Sequence, residues 1–275
     1  MKQMKIFKNK ESLNIEISSI KALSFVPTMG GLHNGHKYLI KKAIEQTKKV
    51  LVSIYVNPKQ FNSKKDFNNY PRDVRKDLIM LKKLKVDYVY LPSKKDIFSF
   101  KTKNKIYKSQ FSKKLCGKFR KKHFNGVLNV VNRFLEIISP KYIFLGKKDF
   151  QQLHLIKMHV KKRKINTVVV ACKTIRDKNG LAYSSRNYSL SKKEREIGSK
   201  IYHFLIKQKK IICKTKPFKL NLTKISNNIK KLGIKKIDYV DCLNLHSLQK
   251  PTNSKMKFNI FVAYYFKTTR LIDNF

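Results

Sequence analysis

The chain alternates short apolar runs with longer amphipathic stretches over most of its length. Residues 22–26 (ALSFV) form an apolar run that stops at Pro27, as a buried strand would. A glycine-containing loop follows, then an amphipathic stretch from about His36 to Lys48. Residues 50–56 (VLVSIYV) make a second run, broken by Asn57 and Pro58. A helical pattern covers 71–84, and VDYVYLP at 86–92 reads as a third strand. Val127, Val130, Val131, Phe134, Leu135 and Ile138 recur at helical spacing, which predicts a helix with one buried face. Residues 142–146 read as a strand, 150–162 as a helix and 167–171 as another strand. Strands alternating with helices predict an α/β fold with a parallel sheet covered on both faces. Ligands of such sheets bind at the carboxyl ends of strands. Those ends carry the least ordinary residues here: PTMGGLHNGH, NPKQF and GKKDFQQ.

After residue 172 the pattern changes. DKNG at 177–180 is a turn, helices are expected over 191–207 and near 222–232, and strands over 236–242 and 258–266. This reads as a smaller α+β domain, so the chain divides into residues 1–174 and 175–275. Lysine-rich patches such as 207–216 are the closest thing to a linker.

Composition adds limits. With 275 residues, 41% of them hydrophobic, the chain can bury a sizeable core. No apolar run is long enough to span a bilayer, and the basic start MKQMKIFKNK leads into no apolar signal segment. The cytoplasm is the default. Cys116, Cys172, Cys213 and Cys242 are scattered, with neither disulfide nor metal-ligand spacing. The net charge of +48 makes a nucleic-acid binder a serious rival. However, the lysines are spread over nearly every segment rather than gathered on one tail or stripe. Lys, Asn, Ile, Phe and Tyr share A/T-rich codons, so an AT-biased genome accounts for them; a balanced source genome would refute that. No specific nucleic-acid partner is expected.

Four constellations carry chemistry. In the first, His33-Asn34-Gly35-His36 opens a helix after a strand, where unpaired N–H groups and the helix dipole favour phosphate. Gly30, Gly31 and Gly35 would let backbone approach closely, and two imidazoles could stabilise charge built up during transfer. The second is SIYVNPKQF at 53–61, followed by DFNNYPR; Gln60 has an amide suited to a hydroxylated acid, although alone it would read as an ordinary loop residue. In the third, Gly146-Lys147-Lys148-Asp149 and Gln152 follow a strand and open a helix. A lysine there can meet phosphate, and an aspartate can hold ribose or a hydrated metal. Last, Tyr183-Ser184-Ser185-Arg186-Asn187 reads equally as a phosphate clamp in a mobile loop or as a helix-capping serine cluster.

Taken together these segments resemble the pantothenate synthetases (pantoate–β-alanine ligases) of the wider HxGH nucleotidyltransferase group. PTMGGLHNGH, SIYVNPKQF, YPR, HFNGV, FLGKKDFQQ and GLAYSSRN stand in that family's order and spacing, and RLIDN at 270–274 also fits. The resemblance implies a Rossmann-like domain binding ATP and pantoate, with a smaller, lid-like C-terminal domain. It implies that pantoate attacks Mg²⁺-bound ATP to give a pantoyl adenylate, which β-alanine converts to pantothenate and AMP. Carried over, Met29, Gly30, Gly31, Leu32, His33, Asn34, Gly35 and His36 would bind ATP, with His36 as proton donor and His33 beside it. Gly146, Lys147, Lys148, Asp149 and Ile175 would border the nucleotide, and Tyr183, Ser184, Ser185 and Arg186 would close over its phosphates. Gln60 and Gln152 would hold pantoate, with β-alanine near Gln60. No protein ligand set for a metal is implied, and a homodimer is.

Two places depart from the family pattern: Lys147 stands where Glu or Gln is usual, and 115–124 reads LCGKFRKKHF, with Cys116 in place of an acidic residue and Lys121-Lys122 in place of Pro-Gly. A different acid-activating nucleotidyltransferase is the other rival, and the pairing of Gln60 with Gln152 argues against it.

Overall fold

The computed structural model describes residues 3–215 and 217–275, so Met1, Lys2 and Lys216 lie outside the described residues. Strands β1 (Lys5–Phe7), β2 (Leu23–Thr28), β3 (Lys49–Ile54), β4 (Tyr88–Tyr90), β5 (Tyr142–Gly146) and β6 (Val168–Cys172) form one parallel sheet in the order β1-β4-β3-β2-β5-β6. Strands β7 (Lys236–Asn244), β8 (Phe258–Phe266) and β9 (Thr269–Asn274) form an antiparallel sheet. The helices are α1 (Lys10–Ile17), α2 (Asn34–Gln46), α3 (Lys64–Asn68), α4 (Val74–Lys83), α5 (Lys94–Phe98), α6 (Cys116–Phe119), α7 (His123–Ile138), α8 (Phe150–Lys162), α9 (Lys192–Lys214) and α10 (Leu222–Lys231).

Side chains of a strand alternate between faces. In β2, Phe25 therefore joins the core formed with α1, α7 and α8, while its neighbour Val26 joins the core formed with α2 and α4. Burial on both faces explains why this strand reads as an unbroken apolar run. From β2 the chain moves to β3 on one side, and β5 lies on the other. The loops after β2 and β5 thus diverge across the topological switch point, where a crevice opens.

The antiparallel sheet packs one face on α9 and α10, through Ile260 and Val262 against Ile201, Leu205 and Ile229. On its other face Phe261 meets Phe150 at the start of α8, with ring centroids 5.2 Å apart. The second sheet therefore lies over the entrance of α8.

Helix α9 begins where expected, at a capping box in which Ser191 and Glu194 bond each other's backbone amides. It runs on to Lys214, through much of the lysine-rich stretch, because Ile212 continues the buried face while the lysines occupy the others. The elements β1 and α1 were not foreseen. One is three residues long, and the other buries only Leu13 and Ile17. Among the described residues no helix is long and apolar enough to cross a membrane.

Beneath α7, His159 is fully buried: its Nε2 meets the Asn132 Oδ1 at 2.9 Å, and its Nδ1 accepts the Tyr107 amide at 3.2 Å. An amide can only donate, so the proton sits on Nε2 and the ring is neutral. Burial, then Arg163, push its pKa from 6.5 down to about 4, against a smaller opposing effect of Glu136. The unfolded chain takes up a proton first, so this contribution is complete above pH 6.5 and is lost as pH falls towards 4. His159→Gln, which keeps an amide at the site, is expected to lose less stability than the parent over that window. The difference should reach about 3 kcal/mol in paired urea melts. Parallel pH dependence of the two proteins would refute the assignment.

Candidate active site

The crevice at the switch point is a cleft of about 470 Å³. It is lined by the ends of β2 and β5, the 55–66 loop, α6 and the start of α7, the 173–186 segment, and the second sheet. Of the residues singled out in the sequence, Met29, His33, Gly35, His36, Gln60, Gly146, Lys148, Asp149, Gln152, Ile175, Tyr183, Ser184, Ser185 and Arg186 all line it.

The remainder sit behind or beside the wall. The family resemblance sets Gly30, Gly31 and Leu32 beside ATP; in the fold the Gly31 and Leu32 amides donate to the Asp77 carboxylate at 2.9 and 2.8 Å. Gly31 has φ +62°, and a Cβ there would come within 2.7 Å of the Pro71 carbonyl, so glycine is needed for the fold of the loop. Asn34 is exposed and donates to the Tyr183 hydroxyl at 3.0 Å. Lys147 is exposed too, and its carbonyl, with that of Lys148, accepts the Asn274 side-chain amide at 3.0 and 2.9 Å. That residue ends β9, so the second sheet fixes the loop that leads into α8.

Backbone amides orient both imidazoles. His33 caps α2: its Nδ1 accepts the Gly35 amide at 3.1 Å, and the His36 Nδ1 accepts the His33 amide at 3.3 Å. Both Nδ1 atoms must be bare, which leaves Nε2–H on each ring as the donor open to a ligand. The ring centroids are 4.0 Å apart. Burial, then His36 and Lys148, push His33 down to about 2. Burial and Lys148 push His36 down to about 4, although Asp149 opposes them. The site thus holds two neutral, oriented hydrogen-bond donors beside a lysine and a carboxylate.

The 183–188 segment is latched over the same loop. Ser185 donates to the Gly31 carbonyl at 2.9 Å, and Tyr188 donates to the Leu32 carbonyl at 3.0 Å. Ser184 accepts the Arg186 amide at 3.3 Å, capping a short 3-10 turn. Arg186 makes a two-pronged ion pair with Asp66, at 2.7 and 3.2 Å. The capping reading of the serine cluster holds for Ser184, which also faces the cleft, while Ser185 latches the loop.

The glutamines divide their labour. Gln151 is buried and holds the 111–116 segment, donating to the carbonyls of Phe111 and Lys114 and accepting the Cys116 amide. This grip surrounds Leu115, whose φ of 43° is unusual for a residue with a side chain. Gln152 lines the cleft. The NPKQF loop is clamped to α7: Asn57 donates to the Gly126 carbonyl at 3.0 Å, and a Cβ on Gly126 would fall 2.2 Å from the Lys59 carbonyl. Gln60 is thereby held in the cleft wall, its carbonyl accepting from Arg120 at 2.9 Å and His123 at 2.7 Å.

Sequence reasoning gave no role to Asp77, Asp66, Arg120 or Arg270, all of which shape this cleft or its walls. The basic residues stand in a chain rich in basic residues, and Asp77 lies 46 positions from the amide that it holds. YPR and HFNGV lie beside these residues and were the nearest signal.

A parallel sheet with a switch-point cleft and paired imidazoles at the start of α2 defines a Rossmann-like protein whose site suits a nucleotide. Comparison with known proteins narrows this. The family model for pantoate-beta-alanine ligase matches residues 4–275. Pantothenate synthetase of Francisella tularensis subsp. novicida is 40% identical over 269 residues, which cover 98% of this chain and 94% of that one. The Thermosipho africanus pantothenate synthetase is 35% identical, covering 100% and 99%. A solved Francisella tularensis pantoate-beta-alanine ligase, complexed with beta-gamma ATP and beta-alanine, superposes with a TM-score of 0.83 at 40% identity, covering 99% and 97%. Pantothenate synthetase from Thermus thermophilus gives a TM-score of 0.88 at 28% identity, covering 99% of each chain. The chain belongs to the pantoate-beta-alanine ligase family.

Proposed function

We propose that this chain condenses pantoate with β-alanine in two ATP-dependent steps. In the first, a pantoate carboxylate oxygen attacks the α-phosphorus of ATP, the bond to the bridging oxygen breaks, and pyrophosphate leaves. In the second, the free amine of β-alanine attacks the acyl carbon, the bond to the AMP oxygen breaks, the nitrogen gives up one proton to solvent, and pantothenate and AMP are released. The observation that carries this reading is the pair of neutral imidazoles at the start of α2, in one cleft with Lys148, Gln60 and Gln152.

The Nε2–H groups of His33 and His36 would meet phosphate oxygens where charge builds up, and Lys148 would add a full positive charge. Because the donors are oriented beforehand by their Nδ1 bonds, little reorganisation accompanies the reaction. Gln60 and Gln152 can each donate and accept, which suits the hydroxyls of pantoate. Arg186 would exchange Asp66 for a phosphate, with Ser184 beside it. No covalent enzyme intermediate is required, so positioning and charge stabilisation do the work.

Magnesium would arrive with ATP. Among the described residues no cluster of three or more acidic, histidine or cysteine side chains could cage a metal. Mg²⁺ commonly binds through one or two carboxylates plus substrate phosphates, and Asp149 in the cleft wall suits that part. The ion would neutralise phosphate charge. The proposal extends to residues 1–174 and 175–275 as two domains, the second closing over the first, and to a homodimer acting in the cytoplasm, where ATP is available. Light scattering reads the oligomeric state.

The decisive test is ATP–pyrophosphate exchange. Labelled pyrophosphate is expected to enter ATP only when pantoate is present. Folded protein that shows no exchange with Mg²⁺, ATP and pantoate would overturn the reading.

A further inference from the structure

Three guanidiniums line the cleft, from Arg120, Arg186 and Arg270. Two have carboxylate partners: Arg186 pairs with Asp66, and Arg270 Nε donates to Asp238 at 2.7 Å. Among the described residues Arg120 forms no ion pair. Its Nη2 donates to the Gln60 carbonyl at 2.9 Å, and its Nη1 lies 3.1 Å from His123 Nε2. The Gln60 carbonyl can only accept, so His123 must carry its proton on Nδ1, which lies 2.7 Å from that oxygen. Its Nε2 is then bare and accepts from Arg120. Both contacts are neutral acceptors. They hold the guanidinium in place without a direct anionic partner, since Asp66, which favours its charge from nearby, is paired with Arg186.

A cation with no direct anionic partner in a part-buried wall is costly unless something anionic completes it. Burial, then the charge of Arg270, push the Arg120 pKa from 12.5 down to about 10, against smaller opposing effects of Cys116 and Asp66, which still leaves it charged at neutral pH. The nucleotide phosphates have their own proposed donors in His33, His36, Lys148 and Arg186, and Arg120 bonds none of these residues. Arg120 is bonded instead to the main chain of Gln60, whose side chain faces the acid pocket.

We infer that Arg120, held by the Gln60 carbonyl and His123, is the receptor for the carboxylate of the amine substrate and so sets the preference for an amino acid over a simple amine. The inference rests on the proposed ligase reaction. Its chemistry fits the second step: β-alanine brings a carboxylate two methylenes from its nitrogen. Anchoring the carboxylate on a planar fork of donors orients the amine.

The test compares β-alanine with β-alaninamide, which keeps the size and loses the negative charge, in the complete reaction. The unaltered protein is expected to favour β-alanine by at least about 100-fold in kcat/KM, as expected for a site whose cation is left unpaired by the wrong ligand. Arg120→Gln is expected to raise the KM for β-alanine and collapse that preference to less than about fivefold. Arg120→Lys, which keeps the charge without the fork, should recover part of it. A preference below fivefold in the unaltered protein overturns the inference without any variant. So does a preference that survives Arg120→Gln, or a rise in pantoate KM that matches the rise for β-alanine. Absence of pantoate-dependent exchange in the unaltered protein would instead overturn the ligase reading on which the inference stands.

Discussion

His36→Ala is expected to slow pantoate-dependent ATP–pyrophosphate exchange by about 10²–10³-fold, the usual cost of removing one pre-oriented donor from a charge-stabilising site. The ring does two things. Its Nδ1 accepts the His33 amide and helps to cap α2, and its Nε2–H is left for the ligand. Alanine removes both, so about 1 kcal/mol of stability should go with the activity. His36→Asn separates them, because the Asn oxygen can sit near the place of Nδ1 while nothing replaces Nε2–H. The Asn variant should therefore unfold like the parent and be as slow as the Ala variant. Exchange near the parental rate in a folded Asn variant would remove His36 from the chemistry. In this account the ring would act as a neutral donor: burial and Lys148, opposed by Asp149, lower its pKa to about 4, so it is uncharged at neutral pH.

Asp77→Ala should be as damaging, by another route. The carboxylate is 3% exposed and receives the amides of Gly31 and Leu32. Removing it strands two N–H donors behind the cleft wall, at about 1–3 kcal/mol each. A loss of about 2–5 kcal/mol is expected in urea denaturation, with a fall in exchange of about 100-fold or more because the loop that leads to His33 loses its anchor. Asp77→Asn should rescue little: its oxygen can accept one amide, but its NH₂ then faces the other donor. Burial raises the Asp77 pKa, opposed by the two amide bonds, so this carboxylate is retained for the loop that it shapes rather than for its own comfort. A loss below about 1 kcal/mol with unchanged exchange would contradict this account.

The parallel sheet was legible because two-sided burial writes itself as apolar runs, and α7 because Val127, Val131 and Phe134 repeat at helical spacing. The cleft was legible because its residues follow strand ends in compact motifs. What stayed hidden depends on pairing through space. Asp77 looks like one more helix residue until its partners across the chain are known. Ser185 and Arg186 are adjacent in sequence, yet one latches a loop and the other pairs with Asp66, and no local pattern separates those fates. The bonds from the Gly31 and Leu32 amides to Asp77 stayed hidden because a sequence shows which donors exist, not which are already taken.

The bond from Asn274 to the carbonyls of Lys147 and Lys148 spans 127 and 126 positions. In time this sets an order of events. A nascent chain presents the 147–149 turn to the tunnel exit long before the strand that steadies it has been translated. The parallel sheet can gather its partners as they emerge, but the 147–149 wall of the cleft waits for residue 274. During that interval β5 and the start of α8 stand without their final cover, and Phe150 is one of the apolar groups left for a chaperone to shield.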